Sequence, residues 1–134
     1  MGTREILAAL VALPLCAVPS GASAEQYSRT EKFVFVNCGR CHVLGEINRM
    51  GGIGSTPSFA AIRTLDDWEE RMRRFYTLNP HPAFTQIESV TAPFPENRPS
   101  PIHPITLTLK QIEVIVEFAR GIKPKDLGAE LGAR

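Results

Sequence analysis

The pentapeptide Cys38-Gly39-Arg40-Cys41-His42 constrains this chain more than any other feature of its sequence. Cys-x-x-Cys-His is the pattern at which a c-type haem is attached covalently. A spacing of two residues on a helical turn lets both sulfurs reach the vinyl groups at one edge of a porphyrin, and the adjacent imidazole can bind the iron. Gly39 keeps this turn free of bulk. We therefore predict one haem c, with thioether bonds to Cys38 and Cys41 and with His42 as the proximal iron ligand.

Residues 1–24 have the three-part pattern of a secretory signal. A basic residue stands near the start, an apolar stretch covers residues 6–18, and small residues occupy positions 22–24. We expect cleavage before Glu25 and a periplasmic location for the mature chain. A membrane-spanning helix needs roughly 20 consecutive apolar residues, whereas this stretch has 13 and contains Pro14. No stable membrane anchor is therefore expected after cleavage.

Composition bounds the remaining possibilities. The chain has 134 residues, with 15 Lys+Arg against 14 Asp+Glu and a net charge of +1. These values fit one small soluble domain and argue against a nucleic-acid partner. We predict a haem domain over residues 25–123 and a mobile C-terminal tail over residues 124–134, where glycines and charged residues leave little apolar surface to bury. A monomer is expected.

Two other chemistries also use closely spaced cysteines. A thioredoxin-like dithiol belongs in a strand–helix–strand setting, and no parallel-strand pattern surrounds the pentapeptide. A structural zinc site usually has four ligands. Because Cys16 leaves with the signal, only His81 and His103 remain to complete such a site. Haem attachment is favoured over the dithiol and the zinc site, which stay as alternatives.

A first helix over about residues 28–41 is predicted to deliver the cysteines at its end. It begins with a capping box formed by Ser28 and Glu31. Residues 45–57 follow it, contain four glycines and end in Thr-Pro. They are therefore predicted to form an irregular loop.

A second helix is predicted over residues 64–79, capped by Thr64. Its apolar residues recur at three- and four-residue spacing and form one face: Leu65, Trp68, Met72 and Phe75. The other face carries acidic and basic residues in a mixed arrangement. This arrangement predicts a solvated surface with pairs of opposite charge.

Residues 79–104 contain seven prolines, a density that excludes a continuous helix or a central strand. The apolar side chains of this segment favour a loop packed around one face of the haem over a disordered linker.

A last helix is predicted to begin with the capping box of Thr108 and Gln111 and to end at Gly121. Its apolar stripe is predicted to consist of Leu109, Ile112, Ile115, Val116 and Ala119.

The order of these elements resembles the class I monohaem c-type cytochromes over about residues 28–122. The resemblance depends on the attachment pentapeptide, the glycine-rich loop that ends in proline, and the Leu-Thr pair before the last helix. It implies a small all-α, cytochrome c-like fold of about three helices, with long loops wrapped round one covalently attached haem. It also implies that the first and last helices cross near an aromatic contact, for which Phe33 or Phe35 and Phe118 are candidates.

The resemblance implies roles for two further residues. In that family a loop proline after the motif accepts a hydrogen bond from the proximal histidine through its carbonyl group, and Pro57 fits this role. The family normally takes its sixth iron ligand, a methionine, from the loop before the last helix. This chain has no methionine after Met72, and His103-Pro104 stands where Met-Pro is expected. We therefore predict His103 as the distal ligand.

Other assignments of the distal position stay open. His81 lies between two prolines in a loop and is the second candidate. Met72 is a third, although a methionine on an apolar helical face more often belongs to the core. Met50 is close to His42 in sequence, which makes the opposite haem face hard to reach. A vacant or weakly occupied position is the last alternative.

An iron with two protein ligands has no position for a substrate and can change only its oxidation state. We therefore predict a soluble periplasmic monohaem c-type cytochrome that carries one electron between transient redox partner proteins and is not an enzyme. Two histidine ligands predict a lower reduction potential than a histidine–methionine pair. The alternative function is a haem protein with an open or displaceable distal site, used for gas binding, sensing or peroxidase-like activity.

Overall fold

A computed structural model describes residues 27–128, and this part of the chain has four α-helices and one two-stranded sheet. The helices are α1 (Arg29–Cys38), α2 (Phe59–Ile62), α3 (Trp68–Arg73) and α4 (Leu109–Arg120), and the strands are β1 (Thr85–Ile87) and β2 (Ile105–Leu107). Short 3-10 turns cover Gly45–Asn48, Phe75–Thr77 and His81–Ala83. The predicted signal and the last six residues of the predicted tail lie outside the described residues.

The two capping boxes are confirmed. The hydroxyl of Ser28 accepts from the N–H of Glu31 while the Glu31 carboxylate accepts from the N–H of Ser28. Thr108 and Gln111 make the same reciprocal pair at the start of α4. Helix α4 ends at Gly121 as predicted, whereas α1 ends at Cys38, earlier than expected, because Gly39 begins a tight turn.

The predicted middle helix over residues 64–79 is wrong in both bounds. Helix α3 has only six residues and its N-cap is Asp67. Thr64 does not cap it, because its hydroxyl donates to the carbonyl of Ala61 at the end of α2. At Arg74 the backbone leaves helical geometry, with φ of −117°, and the 3-10 turn follows. Helix α2, capped by Ser58, is too short for a hydrophobic pattern to predict it.

The chain is mostly helical, but β1 and β2 are an addition to the predicted all-α fold. They pair in parallel, with Thr85 opposite Ile105 and Ile87 opposite Leu107. No strand was expected in residues 79–104. Proline interrupts a strand only where its missing N–H is needed, and residues 83–92 contain none, so a short strand forms there.

The core lies around α4, against which α1 and α3 both pack. Its buried apolar residues are Val34, Leu44, Phe59, Met72, Ile87, Leu107, Ile112, Ile115, Val116 and Ala119. Four residues of the predicted α4 stripe are thus confirmed, but Leu109 is exposed, as is Leu65 before α3. The aromatic partner of Phe118 is Phe59, with ring centroids 6.3 Å apart, and not an aromatic residue of α1.

The mixed-charge face of α3 forms the predicted ion pairs. Asp67 with Arg71, Glu69 with Arg73 and Glu70 with Arg74 are paired at four-residue spacing. Two further pairs join α3 to α4, namely Arg73 with Glu113 and Glu69 with Arg120. Because water screens such exposed pairs, they contribute little to stability.

Within residues 27–128, no helix is both long enough and apolar enough to cross a membrane. The first residues of the predicted tail are connected to the domain, because the N–H of Lys125 donates to the carbonyl of Ala60 at 2.8 Å.

Replacing Thr108 by Ala tests the cap of α4. The variant loses the acceptor for the Gln111 N–H, and its free energy of unfolding should fall by about 1 kcal/mol. Thr108→Ser keeps the hydroxyl and should lose less than half as much. Denaturant unfolding of the purified protein measures both values, and equal losses in the two variants would contradict the hydroxyl as their cause.

Candidate functional site

A cavity of about 710 Å³ lies beside the end of α1 and is bounded by side chains of α3, β2 and α4. Cys38, Cys41 and His42 all line it, together with mostly apolar side chains. Sites for small molecules and cofactors typically have volumes of about 300–1,000 Å³. The pentapeptide therefore faces a space of the size that a cofactor needs.

The pentapeptide continues α1 as a tight turn. The N–H groups of Cys41 and His42 both donate to the carbonyl of Cys38, at 3.1 and 2.9 Å. Gly39 is buried, and a Cβ at this position would lie 2.6 Å from the carbonyl oxygen of Phe35. The predicted need for a residue without bulk is therefore confirmed, and the turn brings both thiols and the imidazole to one cavity.

The imidazole of His42 is held by residues outside the pentapeptide. Its Nδ1 lies 2.7 Å from the carbonyl oxygen of Pro57. Because a carbonyl oxygen only accepts, Nδ1 carries the proton and Nε2 keeps its lone pair. Phe59 packs edge-on, with ring centroids 5.5 Å apart. Burial lowers the pKa of His42 against the opposing effect of the Pro57 hydrogen bond, and nearby His81 lowers it further, so the ring is neutral at pH 7.

His81 lines the same cavity and is held in the same way. Its Nδ1 lies 3.0 Å from the carbonyl oxygen of Leu78, so Nδ1 donates and Nε2 keeps its lone pair here as well. Phe75 and Phe84 pack around the ring, with centroids 4.9 and 5.7 Å away. Burial lowers the pKa of His81 against the effect of the Leu78 hydrogen bond. His81 is therefore a second neutral, oriented imidazole.

The relative geometry of the two imidazoles is the most informative feature of the cavity. The planes of His42 and His81 are 3° apart, and their ring centroids are separated by 6.1 Å. With a metal–nitrogen bond of about 2 Å on each side and a ring radius of about 1 Å, two imidazoles that bind one metal ion have centroids about 6 Å apart. The pair thus has the spacing that two ligands of one ion require.

The structure does not bring His103, the predicted distal ligand, into the cavity. Its side chain is exposed and does not line the space that contains His42. Its carbonyl oxygen instead accepts from Nη2 of Arg40 at 3.2 Å. The neighbouring Ile102 is the residue of this loop that lines the cavity. The loop is therefore next to the pentapeptide, but it presents an isoleucine to the cavity and the histidine to solvent, and the geometry favours His81.

The two methionine candidates differ in their positions. Met72 is buried on α3 and lines the cavity, so it is near the site while also belonging to the hydrophobic core. Met50 is 99% exposed and does not line the cavity. Met72 is the methionine that stays a rival to His81.

The environment of Cys38 does not favour dithiol redox chemistry. Cys38 and Cys41 are not joined by a disulfide bond. Burial, with a smaller contribution from Cys41, raises the pKa of the Cys38 thiol to about 12. A redox-active cysteine needs the opposite shift, because the thiolate is its reactive form. In a haem-attachment site the thiols end as thioethers, so a lowered pKa is not required of the folded protein.

The zinc alternative lacks ligands. Across residues 27–128, no group of three or more His, Cys, Asp or Glu side chains converges as a metal site. A porphyrin supplies four nitrogen atoms of its own, so an iron within it needs only the two axial positions that a pair of imidazoles can fill.

Two features of the site were not predicted from the sequence. The first is the ring of aromatic and carbonyl groups around His81, which includes Leu78 and Phe75. The sequence carries no clear signal of it, because His81 and His103 both have neighbouring prolines and apolar residues. The second is Asn48, whose side chain bonds to the backbone of the pentapeptide. A single Asn in a loop carries no recognisable signal.

A comparison with protein-family models gives no match, and comparisons with the curated proteins and with the solved structures find no similar protein.

Alkylation of the haem-free chain tests the thiol environment. A Cys16→Ser, Cys41→Ser variant keeps Cys38 as its single cysteine. Because burial, the larger cause, raises the pKa of Cys38 in this variant as well, Cys38 should react with iodoacetamide at pH 8 at least about tenfold more slowly than free cysteine. The same chain in urea should react at an ordinary rate. Fast alkylation of the folded chain, with its helical circular dichroism intact, would favour the dithiol alternative.

Proposed function

We propose that this protein is a periplasmic monohaem c-type cytochrome that carries single electrons, with His42 and His81 as the axial ligands of one covalently bound haem. The observation that supports the proposal most strongly is the pair of parallel imidazoles 6.1 Å apart in a cavity that Cys38 and Cys41 also line. Both rings line that cavity, and their centroid spacing matches that of two imidazoles bound to one metal ion.

The residues present fit the haem group in three respects. Two thiols at the attachment spacing stand at one side of the cavity, where thioether bonds would form. The cavity is lined largely by apolar side chains, such as Ile62 and Leu107, which suit the porphyrin faces. Both imidazoles present an unprotonated Nε2, because each Nδ1 donates to a backbone carbonyl. Such hydrogen bonds orient a ligand ring and raise its basicity.

The chemistry that the haem supplies is a change of the iron oxidation state. The chain's own residues determine what else is possible. With His42 and His81 both bound to the iron, no position would be left for a substrate. Pro57 and Leu78 hold the two rings through their carbonyl groups, and the aromatic residues around them limit rotation. An arrangement that excludes substrates and holds both ligands fixed is suited to electron transfer rather than to an enzyme reaction.

The fold gives further support to the resemblance to class I c-type cytochromes. Helix α1 ends at the attachment turn and packs against α4, as the resemblance implies for the first and last helices. The hydrogen bond from His42 to Pro57 corresponds to the one that the family makes with a loop proline. The small parallel sheet is not implied by the resemblance, and Phe118 contacts Phe59 rather than an aromatic residue of α1.

Partners and location follow from the same proposal. The signal pattern over residues 1–24 supports export to the periplasm. A soluble carrier exchanges electrons with redox proteins through small, transient interfaces, which typically bury less than about 1,200 Å². The near-neutral charge supports protein partners over nucleic acid. The carrier is proposed to act as a monomer.

A second candidate function is a haem protein whose distal ligand can be displaced by a small molecule. The observation that favours it is the position of His81 on a three-residue 3-10 turn rather than on a helix. A ligand on so short an element can leave the iron with little disturbance of α1, α3 or α4. Gas binding, sensing and peroxidase-like activity would all use the position that it vacates.

Expression together with a cytochrome c maturation system tests the haem attachment. The wild-type chain should keep its haem through denaturing electrophoresis, because thioether bonds survive unfolding. Cys38→Ala and Cys41→Ala should each lose most of the covalently bound haem, since each removes one of the two attachment atoms. A wild-type chain without covalent haem would contradict the proposed function.

Parallel variants of the distal candidates test the ligand assignment. His81→Ala should lose the low-spin absorption spectrum of the oxidised protein and bind carbon monoxide rapidly once reduced. His103→Ala should keep the wild-type spectrum, because its side chain is exposed. Met72→Leu, a change of similar volume, should keep it as well. If His81→Ala kept the low-spin spectrum and His103→Ala lost it, the assignment of His81 would be overturned. Rapid carbon monoxide binding by the reduced wild-type protein would favour the displaceable distal ligand.

A further inference from the structure

We propose that Asn48 is a positioning residue, which holds the peptide around His42 and thereby sets the orientation of the imidazole that binds the haem iron. This inference rests on the proposed function. Asn48 lies outside the attachment pentapeptide, at the end of the 3-10 turn Gly45–Asn48. No part of the electron-transfer proposal assigns it a role.

The side chain of Asn48 makes three hydrogen bonds to the backbone on both sides of His42. Its Nδ2 donates to the carbonyl of His42 at 2.8 Å and to the carbonyl of Gly39 at 3.2 Å. Its Oδ1 accepts from the N–H of Leu44. One half-buried side chain therefore joins the start of the attachment turn, the proximal ligand and the residue two positions beyond it.

Asparagine is well matched to these three partners. Two of them are carbonyl oxygens, which only accept, and the third is an N–H group, which only donates. The orientation of the Asn48 amide is therefore fixed by chemistry: the NH₂ group faces the carbonyls of Gly39 and His42, and the oxygen faces Leu44. Aspartate has the same shape but no donor, and serine has a single hydroxyl, so neither can replace all three bonds.

The glycine-rich loop after Asn48 supports the same peptide. Gly52 has φ of +79°, and a Cβ there would lie 3.0 Å from the nitrogen of Val43 and 3.1 Å from the carbonyl carbon of His42. The loop thus packs directly on the His42–Val43 peptide, where only glycine fits. The N–H of Ile53 also donates to the carbonyl of Cys41 at 2.9 Å. The glycine-rich loop predicted over residues 45–57 therefore supports the attachment turn.

His42 is consequently held at two places. Pro57 orients the imidazole through Nδ1, and Asn48 orients the peptide from which the side chain projects. An imidazole that is held only through Nδ1 can still tilt, because the Cα of the histidine can move. Groups around a metal ligand that fix its orientation typically change metal affinity or activity by 10- to 100-fold when they are removed. We therefore expect the loss of Asn48 to be visible at the iron and not only in stability.

Two variants and two controls test this role in the haem-loaded protein. Asn48→Asp keeps the acceptor for Leu44 but loses both donors, whereas Asn48→Ala loses all three bonds. Asn97→Asp makes the same chemical change at an exposed position. Thr108→Ala removes the side-chain cap of α4, whose hydrogen bond is made with Gln111 and not with the attachment turn. Each protein is compared by haem content, ferric electron paramagnetic resonance, reduction potential and denaturant unfolding.

Both Asn48 variants should shift the g values of the low-spin ferric signal, which depend on the relative orientation of the two axial rings, and should change the reduction potential. Asn97→Asp and Thr108→Ala should keep the wild-type values of both. Failure of both Asn48 variants to accumulate haem, with Thr108→Ala still loaded, would also support the inference. Unchanged g values and potential in both Asn48 variants, with only a loss of stability, would overturn it. Absence of covalent haem in the wild type would instead overturn the proposed function.

Discussion

The hydrogen bond from Nδ1 of His42 to the carbonyl of Pro57 is the interaction on which the rest of the site depends. It fixes the tautomer of the imidazole, because the carbonyl oxygen cannot donate. It also sets the direction of the ring toward the cavity between α1 and α3. His81 repeats the arrangement with Leu78, although the two histidines lie on unrelated segments. Two backbone carbonyls thus orient two histidines that line one cavity, and the Phe59, Phe75 and Phe84 rings keep the space around them apolar.

The parts of the fold that depend on local chemistry were predictable from the sequence. The capping boxes of Ser28 and Thr108, the end of α4 at Gly121 and the ion pairs of α3 each involve residues three or four positions apart. The parts that depend on distant residues were not. The pairing of β1 with β2 joins segments twenty residues apart, and the contact of Phe118 with Phe59 joins residues still farther apart in the chain. Neither leaves a pattern within one segment.

The candidate site divides in the same way. The pentapeptide and its chemistry are visible in five consecutive residues, and Pro57 follows from a family resemblance. The choice between His81 and His103 required the structure, because both stand among prolines and differ mainly in the direction that their side chains take. His103 was predicted from its place in the loop before the last helix. The loop does lie beside the pentapeptide, but His103 contacts Arg40 through its backbone carbonyl and not through its imidazole. Position along the chain located the loop, and only the structure shows that His81, and not His103, lines the cavity.

The bond between Arg40 and the carbonyl of His103 has a consequence for the order in which the site forms. It joins residues that are 63 positions apart in the sequence. The bond between His42 and Pro57 joins residues 15 positions apart, and the bond between His81 and Leu78 joins residues three positions apart. Contacts of short sequence separation cost less loop-closure entropy and form earlier. Each imidazole can therefore acquire its orientation within its own segment, before the two halves of the cavity meet. Long-range contacts then join the two halves of the cavity. The bond from Arg40, which lies between the two cysteines in sequence, to the carbonyl of His103 is one of these contacts.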